Sequence, residues 1–259
     1  MTVTEYVLDH GYLRSLGRYG DDLTVVNAAR VSYSKESATY DRCAVCGERQ
    51  CDCRQVTGEP AARIGPFLEE RDKRLIRYLI EHRHWSPFRH AFLPVEVKCP
   101  LFVAREWWRH AVGAATTEEG TPWNETSRRY DDSPPEFYLP SVWRGRSATN
   151  KQGSAGVVED EAGELAAAYD RAVSDGLYAY EQALAQGVAP ELARLFLPAY
   201  GLYTRFRWTP SLQAALHFLS LRTAPDAQWE IRQYAQALER LLWPAFPTVM
   251  YHWQEINGA

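Results

Sequence analysis

The absences in this sequence narrow it first. No uninterrupted apolar run approaches the roughly 18 residues of a membrane helix, so nothing reads as a membrane span. The opening stretch MTVTEYVLDHGYLRSLGRYG has no basic region followed by an apolar one, so it does not read as a secretory signal, and a cytoplasmic location is expected. Neither G-x-G-x-x-G nor a Walker lysine motif occurs, which argues against a Rossmann dehydrogenase and a P-loop enzyme. A G-x-S-x-G elbow is missing too. Charge of one sign is also scarce: 29 Lys and Arg against 33 Asp and Glu leave −4, so no global field draws nucleic acid or an anionic membrane.

What is present suits a globular protein. The 259 residues can bury a substantial core, and 46% hydrophobic with 24% charged is ordinary for a soluble chain. Nine Trp and fifteen Tyr supply either core rings or stacking walls for a flat ligand, and composition does not separate the two. We expect a single domain over residues 1–259, carrying a Cys-rich insertion at about 35–66 and a second insertion at about 112–123.

Periodicity sketches the elements. Residues 6–34 predict a short strand, a turn in RYGDD and a helix after Asp22. Residues 35–66, with Gly, Pro and four Cys, predict an inserted loop. Leu75, Ile76, Leu79 and Ile80 at helical spacing predict a helix over 68–82. HAFLPVEVKC alternates as a strand, with Pro94 suggesting an edge or bulge. Pro100 opens a helix in PLFVAREWWRHA. Further helices are expected over 159–187, 211–222 and 227–242, and GLYTRFRWTP reads as a strand. Helices with a few non-adjacent strands predict an α+β fold with one mixed sheet flanked by long helices.

Four polar clusters could carry chemistry. In NETSRRY, Ser127 and Arg129 lie two apart; a hydroxyl beside a forked guanidinium is a common phosphate grip, although a solvated loop has the same composition. EHRHWSPFRH places His82, His84, Ser86 and His90 where a helix stops, without His-x-x-x-His zinc spacing; it suits an anion site or simply cations at a helix C-terminus. Arg222 closes one helix while Gln228, Glu230 and Arg232 open the next, which suits either ligand contact or ordinary capping. Cys43, Cys46, Cys51 and Cys53 fall within eleven residues. In a cytoplasmic chain that spacing argues for structural zinc, the other reading being a redox-sensitive loop. Cys99 after a strand reads as a buried apolar residue.

Taken together, the motifs AARVSYS, HWSPFRHAF, KCPLFVAREWWRH, NETSRRY, EFYLPS, LYTRFRWT and FLSLRTAPDAQWEIRQYA, in this order, resemble the flavin-dependent thymidylate synthases, the ThyX family. The resemblance covers nearly the whole chain outside the Cys insert and residues 143–159. It implies a homotetramer with active sites shared among subunits. It implies reductive methylation of a uridylate at carbon-5, with FAD as cofactor and with NADPH and methylenetetrahydrofolate as co-substrates. Carried over by position, Glu106, Ser127, Arg129, Arg194 and Arg222 would contact the nucleotide, and Arg222 would act catalytically on the uracil. His84, Ser86, Arg109, His110, Asn124, Glu125 and His217 would face the flavin. No cysteine nucleophile is required.

The sequence also departs from the family pattern. The third residue of Arg-His-Arg is Ala111, the connector from there to Ser127 is longer, and the preceding Gln is Glu106. Arg89 replaces a Glu; Ser211, Gln213 and His217 replace Asn, Arg and Asn; Asp226 replaces a His. The grip and Arg222 remain while the pocket walls differ. That pattern favours a specialised UMP methylase of nucleoside-antibiotic biosynthesis over housekeeping conversion of dUMP to dTMP. A nucleotide- or flavin-binding homologue without turnover is the reading of another class. The polar connector around Gly113 and Gly120 is expected to border the nucleotide and to order when it binds.

Overall fold

The computed structural model describes residues 2–53, 61–114, 122–131, 133–148, 153–161 and 163–258. In chain order the elements are β1 (Thr4–Val7), β2 (Gly11–Ser15), α1 (Asp22–Arg30), β3 (Tyr40–Cys43), β4 (Arg63–Phe67), α2 (Glu70–Glu81), β5 (Val95–Pro100) and α3 (Leu101–Trp107). They continue with β6 (Trp123–Glu125), β7 (Arg144–Arg146), β8 (Ser154–Val157), α4 (Glu164–Ala185), α5 (Pro190–Ala193), β9 (Tyr203–Trp208), α6 (Leu212–Arg222), α7 (Trp229–Leu242) and α8 (Pro247–Asn257). The chain is α+β and divides into two compact units, one of residues 1–17 and 93–241, the other of residues 18–92 and 242–259.

The first unit is built on a five-stranded sheet in the order β1-β2-β5-β9-β6. Every pairing in it is antiparallel, which corrects the expected mixed sheet. The reason is topological: β1 and β2 form a hairpin, and each longer excursion returns the chain in the opposite sense, so no parallel crossover arises. Pro94 is likewise corrected. It lies just before β5, and β5 is an interior strand between β2 and β9, buried at five of its six positions. β2 alternates buried and half-buried, as a strand with one wet face should.

Trp107 of α3 is fully buried and anchors the core, 4.5 Å from the Phe218 ring and 5.6 Å from Trp208. In α7, Ile231, Tyr234, Ala235 and Leu238 are buried at helical spacing. Tyr234 donates its hydroxyl to the Lys98 carbonyl at 2.7 Å. A Cβ on Gly11 would stand 1.9 Å from that hydroxyl, so only glycine lets the β1–β2 hairpin close over it. A second apolar cluster joins Tyr180 and Ala183 of α4 to Ala193, Leu197 and Phe137.

The second unit packs α1, α2 and α8 together with the 3-10 turn Ser86–His90. Asp21 and Thr24 cap α1 reciprocally, matching the expected turn and helix start. Buried Asp22 accepts from the Thr248 and Val249 amides at 2.7 and 3.2 Å, which ties α1 to the start of α8. Asp72, fully buried in α2, pairs with Arg30 and accepts from the Ser37 hydroxyl at 3.0 Å. The insertion read as a loop contains the antiparallel hairpin β3–β4. Most of the connector expected at 112–123 lies outside the described residues. Its start is anchored, since Gly113 (φ +79) accepts from the Ser211 amide at 2.9 Å and Ala114 bridges to Pro210. Its end, Trp123, opens β6.

Candidate active site

In the first unit, β6 pairs with the outer edge of β9 and delivers NETSRRY to that side of the sheet. Beyond β6 the chain turns back through residues 126–131, with Tyr130 and Asp131 amides donating to the Ser127 carbonyl. The turn frames a cleft of about 690 Å³ whose lining includes Lys98, Glu125, Ser127, Arg129, Arg194 and Arg205. Five cations line it against three carboxylates.

The cations are not equally available. Lys98 pairs with Glu136 at 2.5 Å, and Arg128 donates to the Asp131 and Ser133 carbonyls. Arg205 donates to the Thr126 hydroxyl at 3.3 Å. Arg129 donates through Nε to Ser127 Oγ at 3.2 Å and lies over Tyr130, 5.1 Å from the ring centroid. Arg194 donates through Nε to the Glu191 carbonyl at 3.2 Å. Among the described residues, Lys98 alone of the five is ion-paired, so Arg129 and Arg194, like Arg128 and Arg205, keep their positive charge for an anion. Glu125 accepts from the Thr204 hydroxyl at 2.6 Å; dehydration raises its pKa, while Thr204 and Arg194 pull it down.

A second cluster in this unit uses its one strong cation internally. Arg222, the last residue of α6, donates through Nε to His110 Nε2 at 3.1 Å and through a terminal nitrogen to Glu106 at 3.2 Å. His110 is only 8% exposed, with its ring edge-to-face on Phe218 at 4.9 Å and 6.0 Å from the His217 ring. Burial, then Arg222 and His217, push its pKa down to about 4. The ring is therefore neutral near pH 7, and because Nε2 accepts, its proton sits on Nδ1. Burial raises the Glu106 pKa, and Arg222 and Arg109 oppose that rise. None of Glu106, His110 or Arg222 lines the cleft.

The structure thus gathers Glu125, Ser127, Arg129 and Arg194 in one place and Glu106, His110, His217 and Arg222 in another. Arg109 follows α3 with an exposed side chain, and Asn124 sits on β6 opposite Arg207. His84 and Ser86 belong to the second unit; the His84 amide donates to the Leu79 carbonyl, and its ring is edge-on to Tyr78 at 5.8 Å. Cys43, Cys46, Cys51 and Cys53 come together, their sulfurs all within 4.8 Å of one another.

One network is only partly legible in the sequence, which offers Gln228 and Glu230 but not their partners Tyr138 and Arg144. Glu230, only 2% exposed, accepts from Tyr138 at 3.2 Å, from Gln228 at 3.0 Å and from Arg144. In sequence this carboxylate suits either ligand contact or first-turn capping, and Arg144 lies 86 positions away. The three residues Tyr138, Arg144 and Glu230 edge a further cleft of about 470 Å³ with Phe102, Trp143 and Tyr169. For Tyr138 the signal was the EFYLPS motif, and for Gln228 and Glu230 it was their place at the opening of a helix.

Comparison with known proteins agrees with this architecture. Residues 16–248, spanning both units, match the family described as thymidylate synthase complementing protein, Thy1. The flavin-dependent thymidylate synthase of Thermus thermophilus is 37% identical over 255 residues, covering 98% of this chain and 80% of its own length. That of Thermosipho melanesiensis is also 37% identical, over 91% of this chain and 86% of its own. Among solved structures, the UMP/dUMP methylase PolB from Streptomyces cacaoi bound with 5-Br UMP superposes with a TM-score of 0.73 at 25% identity, covering 97% of this chain and 96% of its own. The chain belongs to the Thy1 family, that of the flavin-dependent thymidylate synthases.

Proposed function

We propose that this protein catalyses FAD-dependent reductive methylation of a uridylate at carbon-5, with methylenetetrahydrofolate as carbon donor and NADPH as reductant. The observation that carries this reading is one cleft that holds Ser127, bonded to Arg129, together with Arg194, neither guanidinium being ion-paired among the described residues. A hydroxyl and two guanidinium groups match a nucleotide phosphate. Arg222 would act on the base. Held by neutral His110 and by Glu106, it is a fixed cation able to stabilise negative charge that develops on the uracil carbonyls as carbon-5 becomes nucleophilic.

When bound, FAD would supply the hydride chemistry, and the protein would supply orientation and field. Within the first unit, Arg109, His110, Asn124, Glu125 and His217 offer cationic, imidazole, amide and carboxylate partners that suit such a group, and His84 and Ser86, in the second unit, are proposed as further partners. The proposed assembly is a homotetramer in which each site takes residues from more than one subunit.

UMP is the proposed preferred substrate, giving 5-methyl-UMP for nucleoside-antibiotic biosynthesis. Glu106 stands beside Arg222 where an acceptor could meet a ribose 2′-hydroxyl, and PolB acts on UMP as well as dUMP. The thymidylate synthases at 37% identity favour the second reading, dUMP conversion to dTMP. Parallel assays of the flavin-loaded protein with UMP and dUMP, following NADPH consumption and methylated product by mass, decide between them. A higher specificity constant for UMP supports the first reading, and a clear dUMP preference supports the second. Nucleotide binding without product from either substrate would mean a binding homologue without turnover.

A further inference from the structure

The Cys-rich insert has a built centre that uridylate methylation does not use. β3 ends at Cys43, the chain turns through Cys46 and Gly47, and it returns past Cys51 and Cys53. Four thiols from this short stretch converge, every sulfur within 4.8 Å of every other, and none is in a disulfide. In a closed tetrathiolate zinc site the metal–sulfur bonds are about 2.3 Å, which places sulfurs roughly 3.8 Å apart. The observed group needs only a small contraction to meet that geometry.

Two independent features favour a metal over a chance cluster. The first is the backbone around Cys43. The Val45 amide donates to Cys43 Sγ at 3.4 Å, and Gly47, at φ +77, turns its own amide onto the Cys43 carbonyl at 2.9 Å. An amide aimed at a sulfur, as that of Val45 is, stabilises a ligating thiolate and fixes its orientation, while the Gly47 bond closes the turn that holds it. The second is the poverty of the hairpin itself. Arg63, Ile64, Gly65 and Pro66 of β4 are all exposed, and an isolated two-stranded hairpin is marginal in water. A small element without a core of its own needs a staple.

We propose that Cys43, Cys46, Cys51 and Cys53 bind one structural zinc ion as four thiolates, closing the tip of the β3–β4 hairpin. Each thiol releases its proton to solvent as it ligates, and the full set of sulfur ligands leaves no open position for catalysis. The metal would also hold the far end of the hairpin. There Pro66 and Phe67 wall a cleft of about 680 Å³ in the second unit, together with Lys73, Arg74 and Arg77.

The test uses the full chain purified without chelator. Elemental analysis should find about one zinc per chain, and exchange for cobalt should give the intense visible bands and thiolate-to-cobalt charge transfer of tetrahedral thiolate coordination. Cys46→Ser should abolish that spectrum and lower zinc retention by at least about tenfold, while Cys99→Ser, outside the cluster, should keep both. Stripping the metal from the wild-type chain should abolish amide-exchange protection in β3 and β4 and leave β5 and β9 unchanged. Metal-free protein with freely titrating thiols and hairpin protection indifferent to added zinc would overturn the proposal, as would a disulfide within the four cysteines in the native peptide map.

Discussion

The cationic cleft and the Arg222 cluster solve opposite electrostatic problems within one unit. In the cleft, among the described residues, the Arg129 and Arg194 side chains donate to a hydroxyl and a carbonyl and not to a carboxylate, so their charge is left for an incoming anion. At the end of α6, Arg222 spends its donors on His110 and Glu106 and is held in one orientation before any ligand arrives. A phosphate already carries its charge and needs cations that are not neutralised. Charge that appears only during a reaction is better met by a cation whose position has been fixed beforehand. The difference teaches that a count of arginines says little until the partners of each one are known.

The largest effect that could break this comparison is on turnover. Arg222→Ala should lower kcat by a factor on the order of 10²–10³, about 2.7–4 kcal/mol of transition-state stabilisation, with little change in melting temperature. Steady-state kinetics and thermal unfolding together check it. Near-normal turnover would reduce Arg222 to a helix-end residue.

Next in size is the stability cost of keeping His110 neutral. Its pKa falls from 6.5 to about 4 in the folded chain, so the unfolded state binds the proton first. The sign follows: no penalty above about pH 6.5, and stability lost as pH falls from there toward 4, by up to roughly 3 kcal/mol. Denaturant unfolding of wild type and His110→Gln at several pH values should show this slope in the wild type and a shallower one in the variant. Parallel profiles would mean that the imidazole protonates freely in the fold.

Arg129→Ala should weaken nucleotide binding by about 1.5–3 kcal/mol while kcat at saturation and flavin binding stay near wild type. Ser127→Ala should cost about 1 kcal/mol of the same affinity, the ordinary worth of a neutral hydrogen bond. Calorimetric titration of each variant measures both. A larger loss from the serine than from the arginine would invert the reading of the grip.

The sequence was most legible where the contacts are local. Ser127 and Arg129 are neighbours in one short motif and meet in the structure as expected, and α6 runs to Arg222 from a Ser211 cap, as the periodicity predicts. The convergence of the four cysteines was similarly readable, because they lie within eleven positions of one another. Pairing between distant segments was not. The strand direction in the β5–β9 pair and the Glu230–Arg144 contact depend on chain excursions that no local pattern encodes. The neutral state of His110 was hidden for the same reason, since it follows from burial against α6, 112 positions from Arg222.

The central claim is that the cleft reads the phosphate and the Arg222 cluster reads the base. The most direct measurement compares UMP with uridine, which lacks the phosphate, in binding to wild type, Arg129→Ala and Arg222→Ala. The account predicts that Arg129→Ala shrinks the advantage of UMP over uridine by roughly 10- to 150-fold, the equivalent of a lost charged hydrogen bond, while Arg222→Ala leaves that advantage intact. If Arg222→Ala erases the advantage and Arg129→Ala preserves it, the two regions have been assigned the wrong way round.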